Sequence, residues 1–363
     1  MTILMRYLLR EYLRVFGLCV AGLMAVYLVV DFVEKIRKFL TYDAELYAIL
    51  WYFALKLPSI VFQITPLAVL MSTLLTLLTL SRHHEITAMR SSGISLYWVA
   101  IPFLAVALGV SLLLLWASDT VIPVANQQAE VVREVRIERR NPQAVFQGNE
   151  IWVRLGNQTL LKGDLADETA LKLYGVSLYR LEPDFSIREL LHAKELRHED
   201  GRWVLVSGLS RTVGTDQTVQ SHPFDRLPIT LNQKPEDFRR AIRVNPDALS
   251  LRDLAAYVER LRVDGYNPAR YATDLFGRTA FPFVCLIMAL LGISLSLMHT
   301  GSRGPGLVKG VGYSLLIGFL YWAVHSVALA LGRSDVVPPL LAGWTANILF
   351  LAANGYLFLH VRQ

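Results

Sequence analysis

Long apolar runs flank a single polar region in the middle of the chain. Five uncharged runs have about the length that crosses a bilayer as a helix, roughly 20 residues. They occupy residues 60–80, 96–117, 279–298, 310–332 and 336–359. A sixth run, 15–30, reaches spanning length only if it continues through Asp31 to Val33. We therefore predict six transmembrane helices, three before and three after the polar region.

The first run also fits a secretory signal peptide, because a basic region with Arg6, Arg10 and Arg14 precedes it. Its exit, "VVDFVEKIRK", lacks the small-x-small pattern at which signal peptides are cleaved. This favours an uncleaved helix.

The polar region, from Asp119 to about Arg278, contains short stretches rich in β-branched and aromatic residues. "EIWVRL", "LYGVSLYRL" and "WVLVSGLSRTV" have the composition of strands, and "HEDGRWVLV" predicts a hairpin that turns at Asp200 and Gly201. Many short strands without intervening helices favour a β-sandwich or jelly-roll-like domain. We expect the stretch "EIWVRLGN" to offer an open edge to a strand of a partner.

After Pro246 the apolar residues follow the period of a helix. "SLRDLAAYVERLRVDG" places Ser250 and Asp253 at the spacing of a capping box and ends at Gly265. Its apolar face consists of Leu251, Leu254, Ala255, Val258 and Leu261. The stretch predicts an amphipathic helix, followed by a fourth span that begins near residue 267.

Together these patterns predict an α+β membrane protein with six transmembrane helices (3+3) and an inserted extracytoplasmic β-jelly-roll-like domain. Residues 1–118 form the first transmembrane half, with a short helix at 81–95. Residues 119–247 form the β domain. Residues 248–363 form the amphipathic helix and the second transmembrane half.

The distribution of basic residues predicts the orientation, because short cytoplasmic loops are enriched in lysine and arginine. The chain is 53% hydrophobic, with a formal net charge of +6. With the N-terminus inside, the inner segments hold Arg6, Arg10, Arg14, Arg82, Arg90, Arg303, Lys309 and Arg362, and the outer short segments hold Lys35, Arg37, Lys38, Lys56 and Arg333. This excess favours cytoplasmic termini and an extracytoplasmic β domain.

The stretch "LSRHHEITAMRSSGIS" separates the second and third runs on the predicted cytoplasmic side. It predicts a short amphipathic helix closed by Gly93. It is either an ordinary solvated connector or a docking helix for a soluble partner. In the second case Glu85 is the charged contact and Ile86 and Met89 are apolar anchors, with the basic Arg82 and Arg90 beside them.

The cluster "EKIRK" is an exception to the charge rule, because Lys35, Arg37 and Lys38 lie at the outer end of the first run. Basic side chains at helix ends often anchor a helix to phosphate head groups. The alternative is recognition of an anionic lipid or glycolipid. The nearby carboxylates of Asp31 and Glu34 are costly in lipid and are expected to face a protein cavity or water.

Sequences typical of several enzymes are missing. "HHEITA" is not H-E-x-x-H, because Ala88 stands four residues after His84. "GSRGPGLVKG" places Leu307 where a phosphate loop needs lysine. The sequence therefore predicts neither a zinc protease nor an ATPase within this chain, and no cofactor of its own.

The remaining candidate groups lie within spans. Cys19 and Cys285 indicate neither a disulfide framework nor a metal site. His325 is the one histidine placed inside a predicted span, and we interpret it as a packing residue in preference to a proton relay, which needs partners. Arginines of the strand region alternate with acidic residues, so nucleic-acid binding is not expected.

"SRHHEITAMRSSG", "DFVEKIRK" and "NPDALSLRDLAAYVERLRVDGYNPARY", in a chain with three spans, a β domain and three spans, resemble the lipopolysaccharide export permeases LptF and LptG of Gram-negative bacteria. The resemblance covers nearly the whole chain and is greatest to the LptG member. It implies a multi-pass protein of the inner membrane with a periplasmic β domain. Such a permease pairs with an LptF-type subunit on a cytoplasmic dimer of the ATPase LptB, which uses ATP and Mg²⁺.

The resemblance also implies roles for individual residues. Glu85 matches the family's coupling-helix glutamate, which engages the ATPase. Arg37 and Lys38 match basic positions that contact phosphates and sugars of lipopolysaccharide, whereas Asp31 replaces a further family lysine. Lipopolysaccharide then enters from the outer leaflet between spans one and five of the paired subunits and passes to the β domain and to the bridge protein LptC.

Two other classes of function remain. A membrane-anchored scaffold or receptor would bind partners on both faces without transport. An intramembrane enzyme would need a paired-carboxylate, serine–lysine or metal constellation, which the spans do not contain.

Overall fold

The computed structural model describes residues 2–42, 44–138, 144–147, 150–155, 158–163, 165–167, 172–182, 186–199, 202–213, 219–229, 246–263, 267–298 and 307–359. It divides into two compact units. The membrane unit contains residues 1–130 and 247–363, and the β unit contains residues 131–246.

Helices build the membrane unit. In chain order they are α1 (Thr2–Thr41), α2 (Leu46–Arg82), α3 (Glu85–Ser91), α4 (Leu96–Asp119), α5 (Val121–Val131), α6 (Leu251–Val263), α7 (Ala269–Ala280), α8 (Val284–Met298), α9 (Leu307–Arg333) and α10 (Pro339–Leu359). The helix α5 follows the predicted domain boundary at 119 but belongs mostly with the other helices.

The six predicted spans are confirmed. Helices long and apolar enough to cross a membrane cover Ile3–Arg37, Leu46–Arg82, Tyr97–Asp119, Ala269–Ser296, Val308–Arg333 and Pro339–Leu357. The first two extend well beyond their apolar runs, and polar side chains of these two helices pair with each other. The hydroxyl of Tyr27 on α1, for example, donates to Oε1 of Gln63 on α2 at 3.1 Å.

The fourth span is broken between α7 and α8. A 3₁₀ turn, Phe281–Phe283, joins the two helices, and Pro282 has no backbone N–H with which to continue an α-helix. The hydroxyl of Ser111 on α4 donates to the carbonyl oxygen of Pro282 at 2.8 Å. This bond satisfies a buried polar group that the break leaves inside the helix bundle.

The helices α2 and α8 form the centre of the membrane unit, and α1 and α9 lie at its periphery. Two thirds (67%) of the most apolar window of α2 is buried, against 6% of that of α1 and 22% of that of α9. Val69, Leu70, Val284, Met288 and Phe350 belong to the main buried cluster. The exposed apolar surface of α1 and α9 suits contact with lipid or with another membrane protein.

The predicted amphipathic helix is confirmed as α6. The N–H of Asp253 donates to the hydroxyl of Ser250 at 3.1 Å, and that hydroxyl donates to the Asp253 carboxylate at 2.6 Å. These bonds occupy an N–H that has no partner inside the first turn. The buried face holds Leu254, Tyr257, Val258 and Leu261.

The β unit contains one antiparallel sheet of eight strands among its described residues. The strands are β1 (Ala144–Gln147), β2 (Glu150–Arg154), β3 (Thr159–Gly163), β4 (Leu165–Asp167), β5 (Lys172–Leu181), β6 (Ile187–Glu199), β7 (Arg202–Val213) and β8 (Val219–Ile229). Their order is β1-β2-β3-β5-β6-β7-β8, and β4 pairs with β5. Glu199 pairs with Arg202, so β6 and β7 pair as the predicted hairpin requires; the turn residues Asp200 and Gly201 lie outside the described residues.

The strand "EIWVR" is β2, and it is not an edge strand. It pairs with β1 on one side and with β3 on the other. The prediction of an open edge at "EIWVRLGN" is therefore wrong, because a strand from residues just before it covers that edge. Within the described sheet the outer strands are β1 and β8.

Candidate functional site

The segment between the second and third spans folds as predicted into a short helix, α3, closed at Gly93. The N–H of Ile94 donates to the carbonyl oxygen of Met89 at 3.0 Å, and the N–H of Gly93 donates to that of Arg90 at 2.9 Å. This pair of bonds is the Schellman motif, in which the residue after the cap takes a left-handed conformation. Glycine takes it without strain, and Gly93 has a φ of +77°.

The apolar residues of α3 are turned toward this chain. Ile86 is 2% exposed and Met89 is 8% exposed. Both pack in a buried cluster with Leu8 and Tyr12 of α1 and with Phe103 of α4. Their predicted role as anchors in the groove of a partner is therefore wrong, because a buried side chain has no surface to offer.

Charged residues form the accessible surface of the same segment. Arg82 and Arg90 are exposed, and Glu85 is half-buried. The Glu85 carboxylate accepts a hydrogen bond from the Tyr7 hydroxyl of α1 at 2.9 Å. Tyr7 gave no signal in the sequence, because one tyrosine in an apolar helix resembles any membrane-interface tyrosine.

The far end of α1, residues 31–41, carries the second group of predicted site residues. Lys35 forms an ion pair with Asp31 one turn earlier, with 2.7 Å between Nζ and Oδ1. The same ammonium group lies 5.4 Å from the ring centroid of Tyr52 on α2. Lys35 and Asp31 are only 29% and 12% exposed, so the charge of Lys35 is compensated within this chain.

Two other members of the cluster lie on the exposed surface of α1. Arg37 and Glu34 are exposed. Lys38 belongs to the same helix, and its side chain lies outside what the structure describes. Asp31 is 12% exposed and its carboxylate is paired with Lys35. Arg37 is thus the described basic side chain of this cluster that is open to an anionic group.

Hydrogen bonds fix the segment that enters α6, which contains most of the motif "NPDALS". Asp119, at the end of α4, accepts the N–H of Leu251 at 3.1 Å. Arg278 of α7 donates to the carbonyl oxygens of Leu249 at 2.8 Å and Ser118 at 2.7 Å. One arginine therefore links α7, the end of α4 and the start of α6.

Polar side chains inside the bundle mostly contact side chains or carbonyl groups of neighbouring helices. The Tyr321 hydroxyl donates to Asn347 at 2.8 Å, and the Asn347 amide donates to the carbonyl oxygen of Ala280 at 2.8 Å. His325 stacks on the Tyr321 ring, with 5.7 Å between centroids. Asp274 of α7, which is buried, forms an ion pair with Arg333 of α9 at 2.7 Å.

Comparison with known proteins gives one consistent result. The family model for the lipopolysaccharide export system permease LptF/LptG matches residues 6–360. The chain is 21% identical over 342 residues to the lipopolysaccharide export system permease protein LptG of Haemophilus influenzae, with 92% of each chain covered. It is 22% identical over 340 residues to the protein of the same name from Escherichia coli K12, with 91% of each covered.

Proposed function

This chain belongs to the lipopolysaccharide export permease family LptF/LptG, most like LptG, and we propose that it is one half of an ATP-driven lipopolysaccharide exporter. As a family member with six candidate spans, it is a multi-pass inner-membrane protein and a transporter subunit. In our proposal it extracts lipopolysaccharide from the outer leaflet and delivers it to a periplasmic bridge protein of the LptC type. An LptF-type subunit supplies the other half.

The observation that carries the proposal is the charged surface of α3. The seven-residue helix in the short connection between two spans presents Arg90 and the partly accessible Glu85, and Arg82, the last residue of α2, is exposed just before it. Glu85 is the residue that resembles the family's coupling glutamate. We propose that this surface docks on a cytoplasmic dimer of an LptB-type ATPase, which binds the ATP and Mg²⁺.

Transport of a lipid out of a bilayer requires such an energy source. Each methylene group that leaves the hydrocarbon costs about 0.8 kcal/mol, so a chain of about twelve methylenes costs about 10 kcal/mol on the same scale. Binding contacts that are equal in two conformations shift nothing. The ATPase must therefore favour one conformation of the permease, and α3 is the element proposed to receive that bias.

The distribution of charge supports the proposed orientation. The exposed Arg6, Arg10 and Arg14 lie at the α3 end of α1, and basic residues of short loops are enriched on the cytoplasmic side. In our proposal both termini and α3 are cytoplasmic, and the β unit is periplasmic. Arg37 and Lys38 then lie at the periplasmic end of α1, where they contact phosphates of the substrate.

A pull-down from detergent extract of a Gram-negative host that expresses the partner subunits tests the proposal. Tagged wild-type protein, Glu85→Lys and the control Glu259→Lys are compared for a co-purifying ATPase and its turnover. Glu259 is an exposed glutamate of α6, and α6 and α3 adjoin opposite ends of α4, about 36 Å apart by its length. We expect the ATPase with the wild type and the control, and its loss with Glu85→Lys.

If no ATPase accompanies the wild type, the exporter proposal is overturned. A membrane-anchored scaffold would then be the better interpretation. If the ATPase is retained by Glu85→Lys, α3 is not the docking element, whatever the chain transports.

A further inference from the structure

We propose that Tyr7 is a positioning residue that fixes the carboxylate of Glu85, and that α1 thereby links the ATPase-docking helix to the lipid-contacting cluster at its far end. The inference rests on the proposed function, because it assigns roles to Glu85 and Arg37. It adds a residue and a connection that the sequence did not indicate.

The first step is that α3 cannot hold its own conformation. It has seven residues, and isolated helices shorter than about 12 residues are marginal in water. Its orientation therefore comes from packing. Ile86 and Met89 are buried in one cluster with Leu8 and Tyr12 of α1, so α1 is one of the surfaces that determine where α3 lies.

The second step is that Tyr7 holds the functional group itself. Its hydroxyl donates to Oε2 of Glu85 at 2.9 Å, and hydrogen bonds to a carboxylate are stronger than those between neutral groups. Tyr7 is 43% exposed, so its hydroxyl could be hydrogen-bonded by water and does not need Glu85 as a partner. The bond instead restricts the rotamers of Glu85 to one that remains accessible to a partner.

The third step is that α1 is one uninterrupted helix. From Tyr7 to Lys35 it covers about 42 Å at a rise of 1.5 Å per residue, and it contains no proline. At its far end the Asp31–Lys35 pair lies against Tyr52, and Phe39 packs on the same ring with 5.5 Å between centroids. The helix is thus attached to α3 at one end and to α2 at the other.

Displacement of Glu85 by a docked ATPase is therefore transmitted to α1 and along it to Arg37. Only 6% of the most apolar window of α1 is buried in this chain, whereas its two ends pack on α3 and on α2, so movement of one end is carried to the other by the helix itself. Two arrangements of α1 would then differ in their contacts with the substrate, which is the condition for coupling between two sites.

The test uses Tyr7→Phe, which removes one hydroxyl and keeps the ring. The matched control is Tyr313→Phe, another exposed tyrosine, near the start of α9. In the complete complex we expect both variants to retain the ATPase. We expect Tyr7→Phe alone to transport roughly tenfold less lipopolysaccharide per ATP hydrolysed, the factor for a lost hydrogen bond of about 1.4 kcal/mol.

A double-mutant cycle separates positioning from general damage. Glu85→Ala and Tyr7→Phe are combined, and we expect the double variant to be no worse than Glu85→Ala alone, since each change removes the hydrogen bond between Tyr7 and Glu85. Additive losses would overturn the assignment of Tyr7 to Glu85. Equal transport per ATP in the wild type, Tyr7→Phe and Tyr313→Phe would overturn the inference as a whole.

If the Tyr7→Phe chain fails to assemble with its partner subunits, a spectroscopic measurement on the purified chain still tests the inference. A spin label on Ser91→Cys reports the mobility of α3 in the purified chain, and the native Cys19 and Cys285 are both buried. We expect Tyr7→Phe to raise the mobility and Tyr313→Phe to leave it unchanged; an unchanged label in Tyr7→Phe overturns the inference. Failure of the proposed function appears separately, as absence of the ATPase from the wild type.

Discussion

Replacement of Arg333 by Gln should destabilise the membrane unit far more than replacement of its partner Asp274 by Asn. The Asp274 carboxylate accepts hydrogen bonds of 2.7 Å from both Nε and Nη2 of Arg333. Its side chain is 9% exposed, whereas that of Arg333 is 50% exposed. Arg333→Gln therefore removes the ion-pair partner of a carboxylate to which water has little access.

The exposure of the two partners determines how much stability each substitution should cost. Removal of one partner from a fully buried ion pair costs 3–5 kcal/mol. Because half of Arg333 is exposed, we take a cost below that range, about 2–3 kcal/mol. Asp274→Asn leaves a guanidinium that can turn toward water, so its cost is that of lost hydrogen bonds, about 1 kcal/mol.

The thiol of Cys285 is a suitable reporter of opening, because it is fully buried in α8. In a Cys19→Ser background, its rate of labelling by a maleimide dye measures how often this part of the bundle opens. A cost of about 2–3 kcal/mol corresponds to labelling about 30- to 150-fold faster. The control is Arg252→Gln, which removes an 89% exposed arginine from a surface pair and should change the rate less than about fivefold.

The double variant, Asp274→Asn with Arg333→Gln, decides the cause. It should label more slowly than Arg333→Gln alone, because it no longer contains the uncompensated carboxylate. Equal rates for Arg333→Gln and the double variant would refute the electrostatic reasoning. Equal rates for the two single variants would show that the cost lies in lost packing of the side chains.

Three further results are expected. Arg37→Glu with Lys38→Glu should reduce crosslinking of lipopolysaccharide to the complex, whereas Lys35→Met should reduce it less, because the charge of Lys35 is already paired; equal losses would contradict this difference. Photocrosslinkers on β1 should capture an LptC-type partner and those on β8 should not. Pro223 and Pro228 of β8 are an odd number of residues apart, so one of them removes an N–H that strand addition at the outer edge needs. Capture through β8 alone would contradict this prediction. Ile86→Ala should cost about 2–4 kcal/mol of stability, as for other buried large-to-small changes, and should release α3 from the bundle; a melting curve like that of the wild type would exclude the packing role.

The transmembrane helices and the cap of α6 could be predicted from the sequence, because the length of an apolar run and the spacing of capping residues depend only on residues that are close together in the chain. The runs predicted the spans, and the spacing of Ser250 and Asp253 predicted the start of α6, where the bond of 3.1 Å is found. The hairpin before Arg202 followed from its turn residues. Each of these features is determined within about 20 residues of chain.

Predictions failed where a residue's neighbour is distant in the sequence. Periodicity showed that Ile86 and Met89 share an apolar face, but it cannot tell whether that face meets a partner or Leu8 of the same chain. The edge prediction for β2 failed for a similar reason, since it required the position of β1. Tyr7 was overlooked because its partner, Glu85, lies 78 residues away.

The dependence of α3 on α1 has a consequence for how the sequences of this family can change. A helix of seven residues that takes its orientation from another segment is not a separable module, so the two segments must change together over evolution. A chimera that exchanges only residues 85–91 between paralogous permeases should lose activity, whereas one that also exchanges the first turns of α1 should regain it. In our proposal, specificity for a given ATPase would then be encoded in two stretches that lie almost eighty residues apart in the chain.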